Sequence, residues 1–437
     1  MSFPRYPKYK PSGVEWLGEV PEHWEVKPLK VVASFNDEVL SETFGADEEI
    51  EYVDIGSVSF SGGIERTETM LFGNAPSRAR RKVRDGDVIA STVRTYLKAI
   101  APVIDPPSNM IVSTGFAVIR PGLGMVHHFG KFSLQTNYFV DAVISRSTGV
   151  SYPAINASEM AGISITLPPV SEQTRIAAFL DAETAKIDEL VAEQRRLMDL
   201  LKEKRQAVIS HAVTKGLNPN ARMKHSGIEW LGEVPEHWDV ERGRFLYQKL
   251  EIPPGIEDGV VTAFRDGQVT LRANRRTEGF TFAVLEVGYQ RVRVGDLVIH
   301  GMDAFAGAIG VSESTGKCTP EYSVLTPARP GIDNRYFAMI LRLMAQRNFV
   351  FVICPSVRER APRFRFEAFK DVPLPVPPIE EQQEIMLLIE SVEEETRSLT
   401  AEAQRAIDLL QERRSALIST CARSSRLPRP SRHVCCG

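Results

Sequence analysis

No cysteine occurs before Cys318. The five that the chain has, Cys318, Cys354, Cys421, Cys435 and Cys436, are odd in number and confined to the second half, which excludes a repeated disulfide framework and suits a reducing, cytoplasmic setting. No window of about 20 residues is free of charge, and the opening residues, with Arg5, Lys8 and Lys10 among prolines, have no apolar stretch, so neither a membrane span nor a secretion signal is expected. Charge of one sign is not in excess either. Lys and Arg number 53 against 56 Asp and Glu, giving a net charge of -3. A surface that binds polyanions everywhere is thereby excluded, and any nucleic-acid contact has to be local.

Signatures of resident chemistry are missing as well. A phosphate-cradling loop needs Gly-Lys followed by Ser or Thr, but Gly130-Lys131 leads into Phe132 and Gly316-Lys317 into Cys318. Gly122-Leu123-Gly124 lacks the third glycine of a dinucleotide fingerprint and runs into His127-His128. Metal-ligand spacing is found only at His433, Cys435 and Cys436, at the very end of the chain. Asp105-Pro106-Pro107 is followed by Ser108, where an amino-methyltransferase loop would carry an aromatic residue to stack on the flipped base. These residues read as a solvent turn. No catalytic residue, metal site or bound cofactor is expected on this chain.

What the chain does have is a duplicated frame. Residues 12–26 recur as 226–240 with only Val14 becoming Ile228 and Glu25 becoming Asp239, and Leu167–Gln173 answers Val376–Gln382. His23 and His237 recur with that frame, which favours packing over catalysis, with Trp16, Trp24, Trp230 and Trp238 expected to be buried against helices. From Ser171, an N-cap candidate, to about Val213 the pattern is helical without Gly or Pro. A three-four stepping selects Ile176, Leu180, Ile187, Leu190, Leu197, Leu201 and Val208, and 209 residues later Ile385, Ile389, Val392, Leu399, Leu410 and Leu417. Polar entries differ between the copies: Glu183, Gln194 and Lys204 stand where the second has Val392, Ala403 and Arg413. Similar but unequal seams favour antiparallel pairing within one chain over a dimerisation handle. Forty residues of helix span roughly 60 Å.

The expected organisation is a frame segment over 1–30, a first insert over 31–165, a long helix over 166–213, a linker with the second frame copy over 214–245, a second insert over 246–375, a second long helix over 376–421 and an atypical tail over 422–437. Both inserts read as mixed α/β with short strands. Arg84-Asp85-Gly86-Asp87 and Arg293-Val294-Gly295-Asp296 are equivalent turns before buried strands. Beyond them the inserts diverge, so a shared fold with different surface chemistry is expected.

Arginines are the informative surface residues. Arg78, Arg80, Arg81 and Arg84 crowd the first insert; Arg272, Arg275, Arg276, Arg291 and Arg293 occupy the matching zone of the second, and Arg358, Arg360, Arg363 and Arg365 alternate with Phe364 and Phe366 near its end. Arginine serves both phosphates and guanine edges. Clusters at corresponding places in both inserts favour nucleic acid over a solvated face. Direct base readout is expected from some of Arg94, Tyr96, Lys98, Tyr152 and Asn156 in the first insert and Arg358, Arg363 and Arg365 in the second, with the other arginines on phosphates.

The repeated Gly-Val-Glu-Trp-Leu-Gly-Glu-Val-Pro-Glu-His-Trp line, the Leu-Pro-Pro-x-x-Glu-Gln helix entry and the Ala212–Pro219 exit together resemble the specificity subunit of type I restriction-modification systems, over nearly the whole chain. Gly86–Arg94 with Ser113–Phe116 in the first insert, and Gly295–Ile299 with Pro320-Glu321-Tyr322 in the second, carry the likeness inside the inserts. The resemblance implies two target recognition domains of α+β type, related by a pseudo-twofold axis and separated by a pair of long antiparallel coiled-coil helices. It implies a cytoplasmic phage-defence complex in which each domain reads half of an asymmetric site in double-stranded DNA. Two modification (methyltransferase) subunits and the restriction (translocase and nuclease) subunits would dock on the chain, bringing S-adenosylmethionine, ATP and magnesium with them. One departure is the stretch after Ser419, from Cys421 to Pro430, which puts closure of the second helix against the N-terminal segment in question. Two further readings stay open: a coiled-coil adaptor with two protein-binding domains, and an autonomous methyltransferase or nuclease.

Overall fold

Ala, Leu, Glu, Gln, Lys and Arg dominate Val170–Lys215, with no Gly or Pro inside, and a sequence of that composition is helical over its whole length. The computed structural model describes residues 5–60, 62–122, 124–275, 287–354 and 363–423, and in it this helix is 46 residues long. Pro168-Pro169 keeps the chain extended up to its first turn, and Gly216, at φ +72°, closes its end in the left-handed conformation that a glycine takes without strain. The second long helix, Ile379–Arg423, follows Pro377-Pro378 in the same way.

The chain divides into two compact units, Met1–Arg196 with Ala403–Gly437, and Leu197–Glu402. Each unit takes part of both long helices. In the first, the Thr166 hydroxyl donates to the Ala422 carbonyl at 2.7 Å and the Arg414 guanidinium to Asp188 at 3.2 Å, so the second helix runs back along the first. In the second, the Tyr336 hydroxyl donates to the Val213 carbonyl at 2.9 Å and Gln206 to Gln346 at 2.7 Å, while Asp333 N donates to Gln382 at 2.8 Å and Arg335 to Glu390 at 2.9 Å. Helix Asn334–Gln346 thus runs against the first long helix and along the second, which makes those two antiparallel here too.

Inside each unit the insert folds on one plan. The first has a four-stranded antiparallel sheet in the order Ile100–Pro102, Val88–Ser91, Phe116–Pro121, Ala33–Phe35; the second repeats it as Ile309–Val311, Leu297–His300, Tyr322–Pro327, Tyr247–Lys249. The strands entering and leaving each insert pair with one another, Glu25–Pro28 with Ser164–Leu167 and Asp239–Arg242 with Pro373–Val376. The first insert adds another four-stranded sheet, in which Glu49–Val53 and Met110–Ser113 are parallel. The second has two short hairpin pairs instead, Val261–Ala263 with Val269–Leu271 and Gln290–Val292 with Gly316–Cys318. Mostly antiparallel sheets beside separate helices make both domains α+β.

The frame repeats explain themselves as clamps. Glu172 accepts from His23 Nε2 at 2.9 Å and Trp24 Nε1 at 3.2 Å; Glu381 accepts from His237 Nε2 at 2.7 Å and Trp238 Nε1 at 2.9 Å. The neighbouring glutamines are fully buried. Gln173 donates to the Gly124 and Pro168 carbonyls and accepts from Val126 N, as Gln382 donates to Gly331 and Pro377 and accepts from Asp333 N. Of the four tryptophans, Trp24 and Trp238 are buried as expected, but Trp16 is 38 % exposed and stacks on Tyr138, and Trp230 is only partly buried against Phe349. The end of the second helix also closes on the frame. Arg423, still helical, donates to the Leu17 carbonyl at 2.7 Å, which answers the doubt raised by the unusual sequence and moves the start of the tail past residue 423. Residues 424–437, including His433, Cys435 and Cys436, lie outside the described residues.

The seam of the long helices needs a correction. Ile176, Leu180, Ile187, Ile385, Ile389 and Leu417 are buried, Leu201, Val208, Val392 and Leu410 half-buried, but Leu190, Leu197 and Leu399 are exposed. The protected stripe instead follows Gln173, Ala177, Leu180, Thr184, Ile187, Val191, Gln194, Met198, Leu201, Arg205, Val208 and Ala212. Its counterpart is Gln382, Met386, Ile389, Glu393, Thr396, Thr400, Ala403, Ile407, Leu410, Arg414, Leu417 and Cys421. Every second position lies one residue later than the apolar pattern suggested, in both copies. At Leu190-Val191 both neighbours are apolar, so hydropathy alone does not choose between them, and at Glu183-Thr184 or Lys204-Arg205 neither is.

Candidate nucleic-acid interface

Two loops meet at one end of the first insert's antiparallel sheet. Thr92 N donates to the Gly115 carbonyl at 2.8 Å, and the Thr92 carbonyl accepts from Ile155 N at 2.9 Å, so the segment after strand Val88–Ser91 is stitched to the segment before helix Ala157–Ala161. Thr95 Oγ1 donates to Ser147 Oγ at 2.7 Å. This brings together Arg94, Tyr96, Lys98, Tyr152 and Asn156, all exposed. Arg94 lies 5.0 Å above the Tyr152 ring. Asn156 is the N-cap of its short helix in a reciprocal capping box with Glu159.

The second insert builds the same junction. The Gly301 carbonyl accepts from Phe364 N at 2.9 Å, and both residues stand 209 positions after Thr92 and Ile155. Arg365 then takes the N-cap place of Asn156, before helix Phe366–Phe369. Arg363 and Arg365 are exposed on either side of fully buried Phe364, and Glu321 lies between their guanidinium groups, 2.9 Å from Arg365 and 3.7 Å from Arg363. Arg276, Arg358 and Arg360 lie outside the described residues.

The other arginines are scattered. Arg78, just before strand Ala79–Lys82, is exposed beside the first junction, its carbonyl accepting from Thr114 N, whereas Arg84 lies past the other end of that strand, paired to Glu38 at 2.7 Å. Arg80 stacks on Phe72. Arg81 turns inward, where its guanidinium donates to Asn36 and to the Phe116 carbonyl and burial lowers its pKa. In the second unit Arg275 Nη1 donates to both Asp266 oxygens at 2.7 and 2.9 Å, Arg272 reaches Thr262 at 3.3 Å, Arg291 lies 3.6 Å from Asp258, and exposed Arg293 gives its backbone N–H to Asp296. A run of arginines in sequence is therefore not one patch, because alternate strand residues face opposite sides and the strand carries its ends apart.

Residues that the sequence did not single out also border these junctions. Arg66 and Arg78 share a cavity of about 400 Å³ with Tyr52, whose buried hydroxyl has no partner among the described residues. Arg66 is isolated in sequence, with no cluster to mark it. In the second insert His300 and Asp303 lie 3.2 Å apart, and burial lowers the His300 pKa. Among the described residues no group of His, Cys, Asp or Glu is arranged to hold a metal ion, and no helix is long and apolar enough to cross a membrane.

A family model described as the type I restriction modification DNA specificity domain matches residues 21–196 and 298–408. Among curated proteins, the chain is 23 % identical over 321 residues to the EcoKI type I restriction enzyme specificity subunit of Escherichia coli K12, 67 % of this chain and 65 % of that one. It is 22 % identical over 250 residues to a putative type I restriction enzyme MjaX specificity subunit of Methanocaldococcus jannaschii, 54 % of this chain and 55 % of that one. The matched stretches thus span 55 to 65 % of the length of these relatives. Among solved structures, one described as the structural basis of complex assembly and conformational transition of the type I R-M system is similar at TM-score 0.62 and 23 % identity, covering 92 % of this chain and 98 % of that one. That likeness shows the fold.

Proposed function

Because this chain belongs to the type I restriction modification DNA specificity domain family, we propose that it is the DNA-reading subunit of a type I restriction-modification complex, with each insert reading one half of an asymmetric duplex site. The observation that carries this reading is the pair of matched junctions. The same backbone connections, Thr92 to Ile155 and Gly301 to Phe364, present different side chains: Arg94, Tyr96, Lys98 and Asn156 on one, Met302, Arg363 and Arg365 on the other. Sequence is read by side chains at base edges, so a constant scaffold with variable tips is what two unlike half-sites require.

The chain acts here as a non-catalytic subunit. Adenine methylation with S-adenosylmethionine belongs to two modification subunits, and ATP-driven translocation and cleavage with magnesium to restriction subunits, all docked on this chain. Lys131-Phe132 and Lys317-Cys318, where a phosphate-cradling loop needs Ser or Thr, and Ser108 after Asp105-Pro106-Pro107 fit that division of labour. The test is to exchange residues 31–165 for the corresponding insert of another specificity subunit and sequence the methylome of cells making the complex. One half of the methylated motif changes and the other stays; a change in both halves refutes independent reading.

A further inference from the structure

Arg80, Arg94 and Arg275 each lie over an aromatic ring, of Phe72, Tyr152 and Phe264, at 5.0, 5.0 and 4.3 Å. Their donors differ. Arg275 Nη1 donates to both carboxylate oxygens of Asp266 at 2.7 and 2.9 Å, and Arg80 Nε donates to the Ser77 carbonyl at 3.3 Å. The Arg94 guanidinium is exposed, and no hydrogen bond or ion pair with a described residue occupies it. Of these three, Arg94 alone has a guanidinium that no described residue hydrogen-bonds, so both prongs of its fork are open.

The backbone around it is also held unusually. Arg94 at φ +50° and Lys98 at φ +53° flank the short turn Thr95–Leu97 in the left-handed conformation that side-chain-bearing residues adopt at a cost. The residue 209 positions after Lys98 is Gly307, at φ +93°, so the second insert makes this bend with the residue that suits it. The first insert keeps two long cationic side chains there instead. The Tyr152 loop is fixed on the other side by the paired backbones of Thr148 and Ala154 and by the bridge from Val93 to Ala154.

We propose that Arg94 reads a guanine in the half-site recognised by the first insert, and that Tyr152 is the positioning residue that holds its guanidinium plane. This rests on the DNA-reading function above. Guanine presents N7 and O6 side by side in the major groove, matching two parallel N–H groups of a guanidinium. A phosphate can accept the same two-pronged contact but carries no base identity, so loss of N7 alone separates the two. In the second insert the matching position is Asp303, whose carboxylate is occupied by Arg265 at 2.9 Å and His300 at 3.2 Å, so that insert has no guanine fork there.

The test uses the assembled methyltransferase complex and a duplex carrying its methylome-defined motif, with 7-deazaguanine, which lacks the N7 acceptor, placed at each guanine in turn. The wild-type complex loses roughly ten- to hundredfold in single-turnover methylation at one guanine of the first insert's half-site. Arg94→Ala loses a comparable factor on the natural duplex and nothing more with 7-deazaguanine. Arg94→Lys, which keeps the charge without the fork, stays impaired; Tyr152→Leu is impaired, and Tyr152→Phe, which keeps the ring, is not. Readout of the other half-site is unchanged in every variant, which shows that the complex is intact. Full activity of Arg94→Lys, or no guanine in that half-site coupled to Arg94, overturns the proposal while the two-part motif stands. A methylated motif with only one part would instead sink the DNA-reading function, and this inference with it.

Discussion

Glu172 and Glu381 show how a repeated motif far from any chemistry earns its repetition. The indoles of Trp24 and Trp238 are buried, and each donates to a carboxylate at the start of a long helix. Glu381→Ala leaves the Trp238 N–H buried without an acceptor and is expected to cost about 1–3 kcal/mol, read as a lower urea midpoint at unchanged slope. The turn acids make a second comparison. Asp87 is buried under a two-pronged contact from Arg120 at 2.8 Å, whereas Asp296 has the backbone N–H of Arg293 and no such fork, because Arg329, 209 positions after Arg120, pairs with Glu241. Burial accordingly raises the Asp296 pKa. A carboxyl with a raised folded pKa favours folding at pH below its unfolded value, and that contribution is lost as the pH rises through the folded value. Asp296→Asn should therefore remove this loss, gaining on the wild type from acid toward neutral pH in denaturation curves, while Asp87→Asn is expected to destabilise by about 2 kcal/mol at neutral pH by breaking the two-pronged contact and leaving Arg120 with Glu38 at 2.7 Å. The two turns look alike in sequence. Their electrostatics differ because the arginine comes from a distant strand, which no local pattern reveals.

At the scale of elements, the long helices and the strand-turn signals were legible because each is written in local terms: propensity, absent Gly and Pro, and a Gly-Asp turn before a branched run. The helix register was not. A three-four alternation can be threaded through Leu190 or through Val191, and the choice falls to what covers the helix: Val191 lines a groove with Gly62, Ile64 and Met110, while Leu190 is 44 % exposed. Val191→Asp should cost about 2–4 kcal/mol by placing a carboxylate in that packed stripe, and Leu190→Asp less than about 1 kcal/mol. Thermal unfolding of the two variants side by side checks the register, and equal losses would restore the original stepping.

For the whole molecule, a net charge of -3 leaves no general attraction for DNA, so the proposed binding has to come from local groups of exposed cationic side chains. The arginine clusters drew attention to the inserts, but the sequence did not separate arginines that face outward from those that serve the fold, since partners such as Asn36 and Glu38 come from a distant segment. That distinction predicts two different salt responses. For the assembled complex on its duplex, Arg78→Ala, which removes an exposed guanidinium beside the first junction, should weaken binding to every sequence alike and reduce the slope of log affinity against log salt by about one. Arg81→Ala should leave that slope unchanged and instead lower the unfolding midpoint, because its guanidinium joins Asn36 to the Phe116 carbonyl within the domain. Titration of labelled duplex across a salt series, alongside a melting curve for each variant, separates the two. A slope that shifted for Arg81→Ala and not for Arg78→Ala would place the phosphate-facing surface on the other side of the sheet.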